Sequence, residues 1–300
     1  MRIAVGPVLF DWGKRAIEEY YRRLAFESEA DILYLGEVVC SKRLGLGPEE
    51  LGRLARELAG SGKEVVFSTL GLVMNDGELE RVRRVVALAG ELGLKVEAND
   101  MAAIGLGEGQ PMVAGPHINT YNPETLAFLA TVGVVRVVLP VELSARAIAG
   151  VIGKRGDLPM ERELFAYGHM PLTFSARCYT ARAFELPKSN CQYKCGEFPE
   201  GLPTMTQDGS DFLLMNGIQT MSARVCNLVA ETEEIQGLGV DIVRLSPRKE
   251  RFREVVGLWR QRLDGRLDAA TAAAKLAELD PGTRFCNGYF HGRPGLEQVP

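Results

Sequence analysis

Long apolar runs are missing from this sequence, histidine and tryptophan are scarce, and there is no excess of positive charge. No stretch approaches the roughly 20 consecutive apolar residues of a membrane span, so membrane insertion is not expected. The opening MRIAVGPVLFDWGK is interrupted at Gly6 and Pro7 and lacks the small-residue cleavage site of a secretory leader. It reads as a strand, and the expected location is the cytoplasm. A net charge of −4 gives no overall field that would gather nucleic acid or anionic lipid. With only three histidines, none in a helical zinc-protease pattern, the familiar metalloprotease motif is excluded. GPVLFDWG, which follows the first apolar run, lacks the glycine spacing of a dinucleotide fingerprint.

What is present is an alternation. Near-continuous apolar runs occur at 2–10, 31–39, 63–71, 95–99, 112–119 and 134–140, as expected of strands covered on both faces. Helix-period segments stand between most of them, with start signals at Pro48, Asp76, Asn122-Pro123 and Ser144, and stop signals at Gly60, Gly62, Gly93, Gly133 and Gly153. A further strand at 241–247 is followed by Phe252, Val255, Val256 and Trp259 at helical spacing. Strand–helix repetition over 300 residues predicts an α/β fold, a (β/α) barrel whose closure need not be regular, which typically takes roughly 250 residues. The rhythm breaks over 155–240, which reads as a loop-rich insertion within a single domain spanning 1–300, and segments this long are usually functional. The Gly/Pro-rich stretch beyond 280 reads as a surface tail. Arg81, Arg83 and Arg84, interleaved with Glu78 and Glu80, read as a solvated helix face.

Six cysteines in a reducing compartment call for metal, redox chemistry or burial as small hydrophobes. Cys178, Cys191 and Cys195 fall in a segment whose Pro187, Ser189, Asn190 and Gly196 favour irregular backbone able to turn three thiolates toward one centre. Arg177, Arg182, Lys188 and Lys194 flank them and favour the thiolate form. Cys40 follows the second strand. In a barrel the C-terminal strand ends share one face, so Cys40 can reach the same centre. Cys226 reads as a buried thiol in a strand and Cys286 as a thiol of the tail. The spacing alone leaves an iron–sulfur cluster, zinc and no metal all open.

The run ELFAYGHMPLTFSARCYTAR, together with the earlier strands and GPHINTYN, resembles the collagenase-like U-type peptidase family. One cysteine after the second strand and three from the later segment is similar to the UbiV branch of that family, which works with its paralogue UbiU in oxygen-independent ubiquinone biosynthesis. The resemblance implies a 4Fe–4S cluster held by Cys40, Cys178, Cys191 and Cys195, with Cys226 and Cys286 outside the set. It also implies a heterodimer with a UbiU-like paralogue, contact with other ubiquinone-biosynthesis proteins, and anaerobic hydroxylation of the aromatic ring of a ubiquinone precursor. The oxygen would come from a donor other than dioxygen; prephenate is the donor suggested for these hydroxylases as a group. Three alternatives remain open: a non-catalytic partner stabilised by its cluster, a metal-dependent peptidase, and an RNA hydroxylase. The catalytic residues are not assigned. Candidate pocket residues at strand ends are Glu37, Ser68, Asn99, Asp100, His117, Asn119 and Glu142, with His169, Asn216 and Gln219 beside the cysteine segment.

Overall fold

The computed structural model describes residues 1–43, 45–153 and 158–300. Strands and helices alternate through the first half: β1 (Arg2–Val5), α1 (Lys14–Glu27), β2 (Ile32–Leu35), α2 (Pro48–Ala59), β3 (Glu64–Ser68), α3 (Asp76–Leu92), β4 (Lys95–Ala98), α4 (Met101–Leu106), β5 (Met112–Ala114), α5 (Pro123–Thr131), β6 (Val134–Leu139) and α6 (Ala145–Gly153). Then come β7 (Glu161–Phe174), α7 (Tyr179–Ala183), β8 (Leu202–Met205), β9 (Asp211–Asn216), β10 (Gln219–Asn227), α8 (Thr232–Gly237), β11 (Ile242–Leu245), α9 (Phe252–Leu263), α10 (Ala269–Leu279) and β12 (Phe285–Cys286). β1 to β7 pair in sequence order, and β11 lies between β7 and β1, closing a parallel eight-stranded barrel.

Local signals explain the elements. Asn75 and Asn122 accept hydrogen bonds from Glu78 N and Thr125 N and so cap α3 and α5, and Pro48 and Pro123 occupy first-turn positions. The α3 cap is thus Asn75, one residue before the expected Asp76. Strands are shorter than the apolar runs that announced them; past the strand ends single backbone bonds continue, from Gly6 N to Leu245 O, Thr69 N to Glu97 O and Gly71 N to Val38 O. α1 and α10 fall outside the sequence expectations.

The strand residues divide into two sets. Ile3, Val5, Leu33, Leu35, Val65, Phe67, Val96, Val137, Leu139, Val243 and Leu245 pack under the helices in the main core. The alternate positions Ala4, Ile32, Tyr34, Val66, Val113, Val138 and Ile242 form a separate buried cluster on the barrel axis, as the two-residue period of a strand requires.

β7 pairs in two directions within one continuous sheet. Its first half pairs with β6 and β11 in parallel, and its second half pairs with β10 antiparallel. The change occurs at Gly168, whose φ is 120° and where a Cβ would lie 2.6 Å from Ser246 Cβ, so only glycine fits. From there an antiparallel sheet of β7, β10, β9 and β8 extends beyond the barrel, β8 forming its edge. The expected insertion is therefore partly regular; its start near 155 lies outside the described residues.

The C-terminal stretch is not a surface tail. β12 adds to β10 in parallel, Cys226 opposite Cys286, and Cys286, Asn287 and Phe290 are buried. A two-residue strand carries too little pattern to be seen against a Gly/Pro-rich background. No helix among the described residues is long and apolar enough to cross a membrane.

Candidate metal centre

Cys40, Cys178, Cys191 and Cys195 are all half-buried free thiols, whereas Cys226 and Cys286 are fully buried. Cys40 sits in the β2–α2 loop. Glu37 accepts hydrogen bonds from Val39 N (2.8 Å) and Cys40 N (3.0 Å), which curls this loop at the strand end. Cys178 lies four residues past β7 and caps the short α7, its Sγ accepting from Ala181 N at 3.4 Å. Cys40 and Cys178 pack against one apolar cluster that includes Leu9, Phe10, Val39 and Ile218. Cys191 ends a 3₁₀ turn, and Cys195 lies within the next. Between them Gln192 and Tyr193 both take left-handed conformations, at φ 50° and 53°, a costly backbone for residues with a Cβ.

Long-range hydrogen bonds tie these loops together. Lys42 Nζ donates to the carbonyls of Lys188 (2.7 Å) and Ser189 (3.3 Å), joining the Cys40 loop to the turn before Cys191. The Trp12 indole donates to Pro199 O at 2.7 Å, and Cys195 Sγ lies 3.8 Å from Asp11 Oδ2. Arg43, only 4% exposed, is the cation at the centre. It donates to Leu9 O (2.6 Å) and Asn216 Oδ1 (2.5 Å) and stands 3.5 Å from Glu37, while its Nε is buried without an acceptor. Burial raises the pKa of both Cys40 and Cys195, and the Arg43 guanidinium pulls both back down. Lys188 acts on Cys40 in the same sense.

The four expected ligands thus come from two barrel loops and lie over the same end of the barrel. Among the described residues, however, no three His, Cys, Asp or Glu side chains surround one point as metal ligands would. The donor set nevertheless suits an iron–sulfur cluster in kind. It offers four thiols on irregular backbone, a strained turn between two of them, and a buried cation with an unanswered N–H. Of the four basic residues expected around the cysteines, Lys188 lowers the Cys40 pKa. Lys194 pairs with Glu197 at 2.8 Å and lies over the Phe184 ring, and Arg177 and Arg182 are exposed.

Beneath the cysteine loops the barrel axis is ionic. Arg244, 3% exposed, donates to Glu163 and Glu97, each at 2.6 Å, with its guanidinium 4.1 Å from the Tyr34 ring centroid. Tyr34 Oη donates to Glu163 (2.6 Å) and accepts from Arg136 (3.0 Å). Arg136 reaches Glu64 and Glu161 at the opposite end of the axis. Ser68 Oγ and Asn99 Nδ2 donate to Glu97 at 2.6 and 3.2 Å.

The expected pocket residues divide accordingly. Ser68, Asn99 and His117 do stand at the barrel mouth. Asp100 caps α4, Glu142 accepts from the Tyr121 hydroxyl, and Asn119 is a left-handed residue ending a 3₁₀ turn. Asn216 Nδ2 donates to Leu9 O and to Gln219 Oε1. His169 Nδ1 meets Ser222 O at 2.9 Å, across the β7–β10 pair. Arg81 is not merely solvated, since it donates to Ser41 O and Leu46 O. No sequence signal set Arg43, Glu97, Arg136, Glu163 and Arg244 apart: Arg43 stands beside Lys42 in a loop, and the others are charges within or next to apolar strand runs.

The sequence model described as peptidase family U32 matches residues 21–300. Among solved structures the chain is similar to the U32 peptidase Mk0906, at 9% identity and TM-score 0.44, covering 83% of this chain and 93% of that one. It is also similar to the tryptophan synthase A-subunit from Pyrococcus furiosus, at 12% identity and TM-score 0.46 (92% and 98% covered). Tryptophan synthase from M. tuberculosis gives 12% identity and TM-score 0.44, with 93% of each chain covered. At such identities and scores the likenesses to solved structures say nothing of substrate or chemistry.

Proposed function

The chain belongs to peptidase family U32, and from that premise we propose that it is the iron–sulfur subunit of an oxygen-independent hydroxylase complex. The substrate would be the aromatic ring of a ubiquinone precursor, and the partner a UbiU-like paralogue. Cys40, Cys178, Cys191 and Cys195 would hold a 4Fe–4S cluster. The observation that carries the reading is Arg43, a buried cation acting on two thiols that are distant in sequence, Cys40 and Cys195. A cluster ligated by four thiolates is anionic, and a fixed guanidinium offsets that charge where water does not reach.

Such a cluster supplies one-electron transfer. The chain's own residues do the rest. Lys42 and Trp12 clip the β1 and β2 loops to the cysteine segment, and Arg43 and Lys188 favour the thiolates. A proteolytic reading finds little support in the side chains. His169 is bonded to a carbonyl, His291 to Glu231, and Ser175 Oγ accepts from Arg177 N.

Anaerobic purification followed by iron and sulfide analysis and an absorption spectrum tests the assignment. Replacing any one of the four cysteines by Ala should sharply lower both elements, while Cys226→Ala and Cys286→Ala leave them nearly intact. Iron retained in Cys40→Ala but lost in Cys226→Ala would overturn the ligand set. Co-expression with the paralogue and sizing tests the heterodimer. Separate monomers at micromolar concentration would exclude a stable complex.

A further inference from the structure

We propose that the axial cavity at the barrel mouth is the oxygen-binding end of a ligand site, taking the hydroxyl of an uncharged ligand whose apolar body rests on the surrounding walls. The cavity lies among the C-terminal ends of β1, β4, β7 and β11 and the turn after β5. Pro7, Leu9, Pro116, Phe165 and Pro171 wall it. C-terminal strand ends are where barrels of this type bind and react, and the cavity is not part of the cysteine centre above, although Leu9 borders both.

Its polar lining is incomplete in a particular way. Arg244 directs Nε to Glu163 and Nη1 to Glu97, leaving Nη2 buried without an acceptor. His117 shares the cavity, and no described residue is hydrogen-bonded to its ring. Its contact is with the Phe174 ring, 4.6 Å away and edge-on. Burial holds its pKa down at about 4, with Arg244 lowering it further and Glu97 opposing. At neutral pH the imidazole therefore offers one donor and one acceptor. A single hydroxyl can accept from the guanidinium and donate to the imidazole, answering both groups at once.

Size and charge narrow the ligand. The cavity volume is about 20 Å³, close to what one water occupies, so it admits one oxygen and not a carboxylate. Arg244 already faces two carboxylates, Glu97 and Glu163. A third anion there would be repelled without a new counter-charge, and an uncharged oxygen would not. The inference rests on the cavity and not on the cluster.

Phenol and benzoate are matched probes, and calorimetric titration of the purified chain reads both. Phenol should saturate, and benzoate should bind at least tenfold more weakly. His117→Phe keeps the ring against Phe174 and should weaken phenol at least tenfold with little change in melting temperature. Gly6 lines the cavity, and a Cβ there would sit 3.4 Å from Arg244 Cδ, an ordinary contact. Gly6→Ala should therefore fold and exclude phenol. Equal affinity for phenol and benzoate, or phenol binding unaltered in both variants, would leave the cavity a water site only and overturn the proposal. Cys195→Ala protein without iron should bind phenol like the parent. That arm separates failure of this site from failure of the cluster assignment.

Discussion

The barrel axis and the cysteine loops above it lie one over the other, yet they are stabilised in opposite ways. On the axis, Glu97, Glu163, Arg136 and Arg244 are fully or nearly fully buried, and each charge is met by an opposite charge or a hydroxyl at 2.6–3.0 Å. The cysteine segment has half-buried thiols, three short helical turns and left-handed Glu185, Gln192 and Tyr193. Its tertiary hydrogen bonds run mainly from side chains to single carbonyls. On the axis the ionic groups answer one another, with Arg244 Nη2 at the mouth left buried without an acceptor. The loops are positioned by a few clips and, on our reading, depend on what the thiols hold.

The largest test of this contrast removes a charge from the axis. Arg244→Met should cost about 3–5 kcal/mol, because it strands two buried carboxylates with no cation between them. Cys178→Ala in iron-free protein should cost about 1 kcal/mol or less, as expected for a small change at a half-buried position. Urea unfolding of both variants reads the difference, and equal losses would mean that the loops are as integral to the fold as the axis.

A smaller effect comes from pH. His169 is buried on β7 beside Ser222 O, and its pKa is lowered to about 4, chiefly by burial and then by Arg248, against a raising influence from Asp280. The unfolded chain takes up this proton near pH 6.5 and the folded one only near 4. Between those values the unfolded state binds more protons, so stability falls as pH falls, by about 1.4 kcal/mol per pH unit for one such group. His169→Gln should flatten the slope of denaturation midpoint against pH over that window. An unchanged slope would assign acid sensitivity to other groups.

Much of the barrel could be read from the sequence because its signals are local. Helices end at Gly93 and just before Gly133, and start at Pro48 and at Asn122-Pro123. The ionic axis was not legible. Glu97, Glu163 and Arg244 lie 147 residues apart at the extremes; Arg244 looks like a stray charge in a strand, and Glu163 is one of three consecutive charges that open β7. That they face one another follows only from closure of the barrel. The same holds for Arg43, which reads as an ordinary loop cation beside Lys42 until Leu9, Asn216 and Cys195 are brought around it. Cys286 misled for the opposite reason: its Gly/Pro-rich neighbourhood has a surface composition, while two strand residues suffice to bury it against β10.

If the cysteines hold the proposed cluster, iron removal probes the loops directly. Stripping the metal with an oxidant and a chelator should accelerate protease cleavage within 175–201, on the order of tenfold or more if local opening rises by the roughly 1.4 kcal/mol that corresponds to that factor. Cleavage elsewhere in the barrel should not change. Acceleration spread evenly along the chain would instead make the cluster a global stabiliser and erase the distinction between the two regions.

The smallest expected effect lies within the loops themselves, where two lysines near the cysteines differ in how their charge is used. Lys188 Nζ donates to Ala176 O at 3.1 Å and carries no carboxylate partner among the described residues, and its charge reaches Cys40. Lys194 is paired with Glu197 at 2.8 Å and stands 5.2 Å from the Phe184 ring centroid. An added electron makes a cluster more negative, so a nearby cation favours the reduced form and raises the potential. The field of a paired charge is largely cancelled, and that of an exposed one is screened by salt. Lys188→Gln should therefore lower the cluster potential with iron content intact, and Lys194→Gln should shift it less. Anaerobic quinone production should fall with Lys188→Gln if the cluster relays electrons. A lowered potential with unchanged quinone yield would remove the relay and leave the cluster to order the loops over an axis that does not need it.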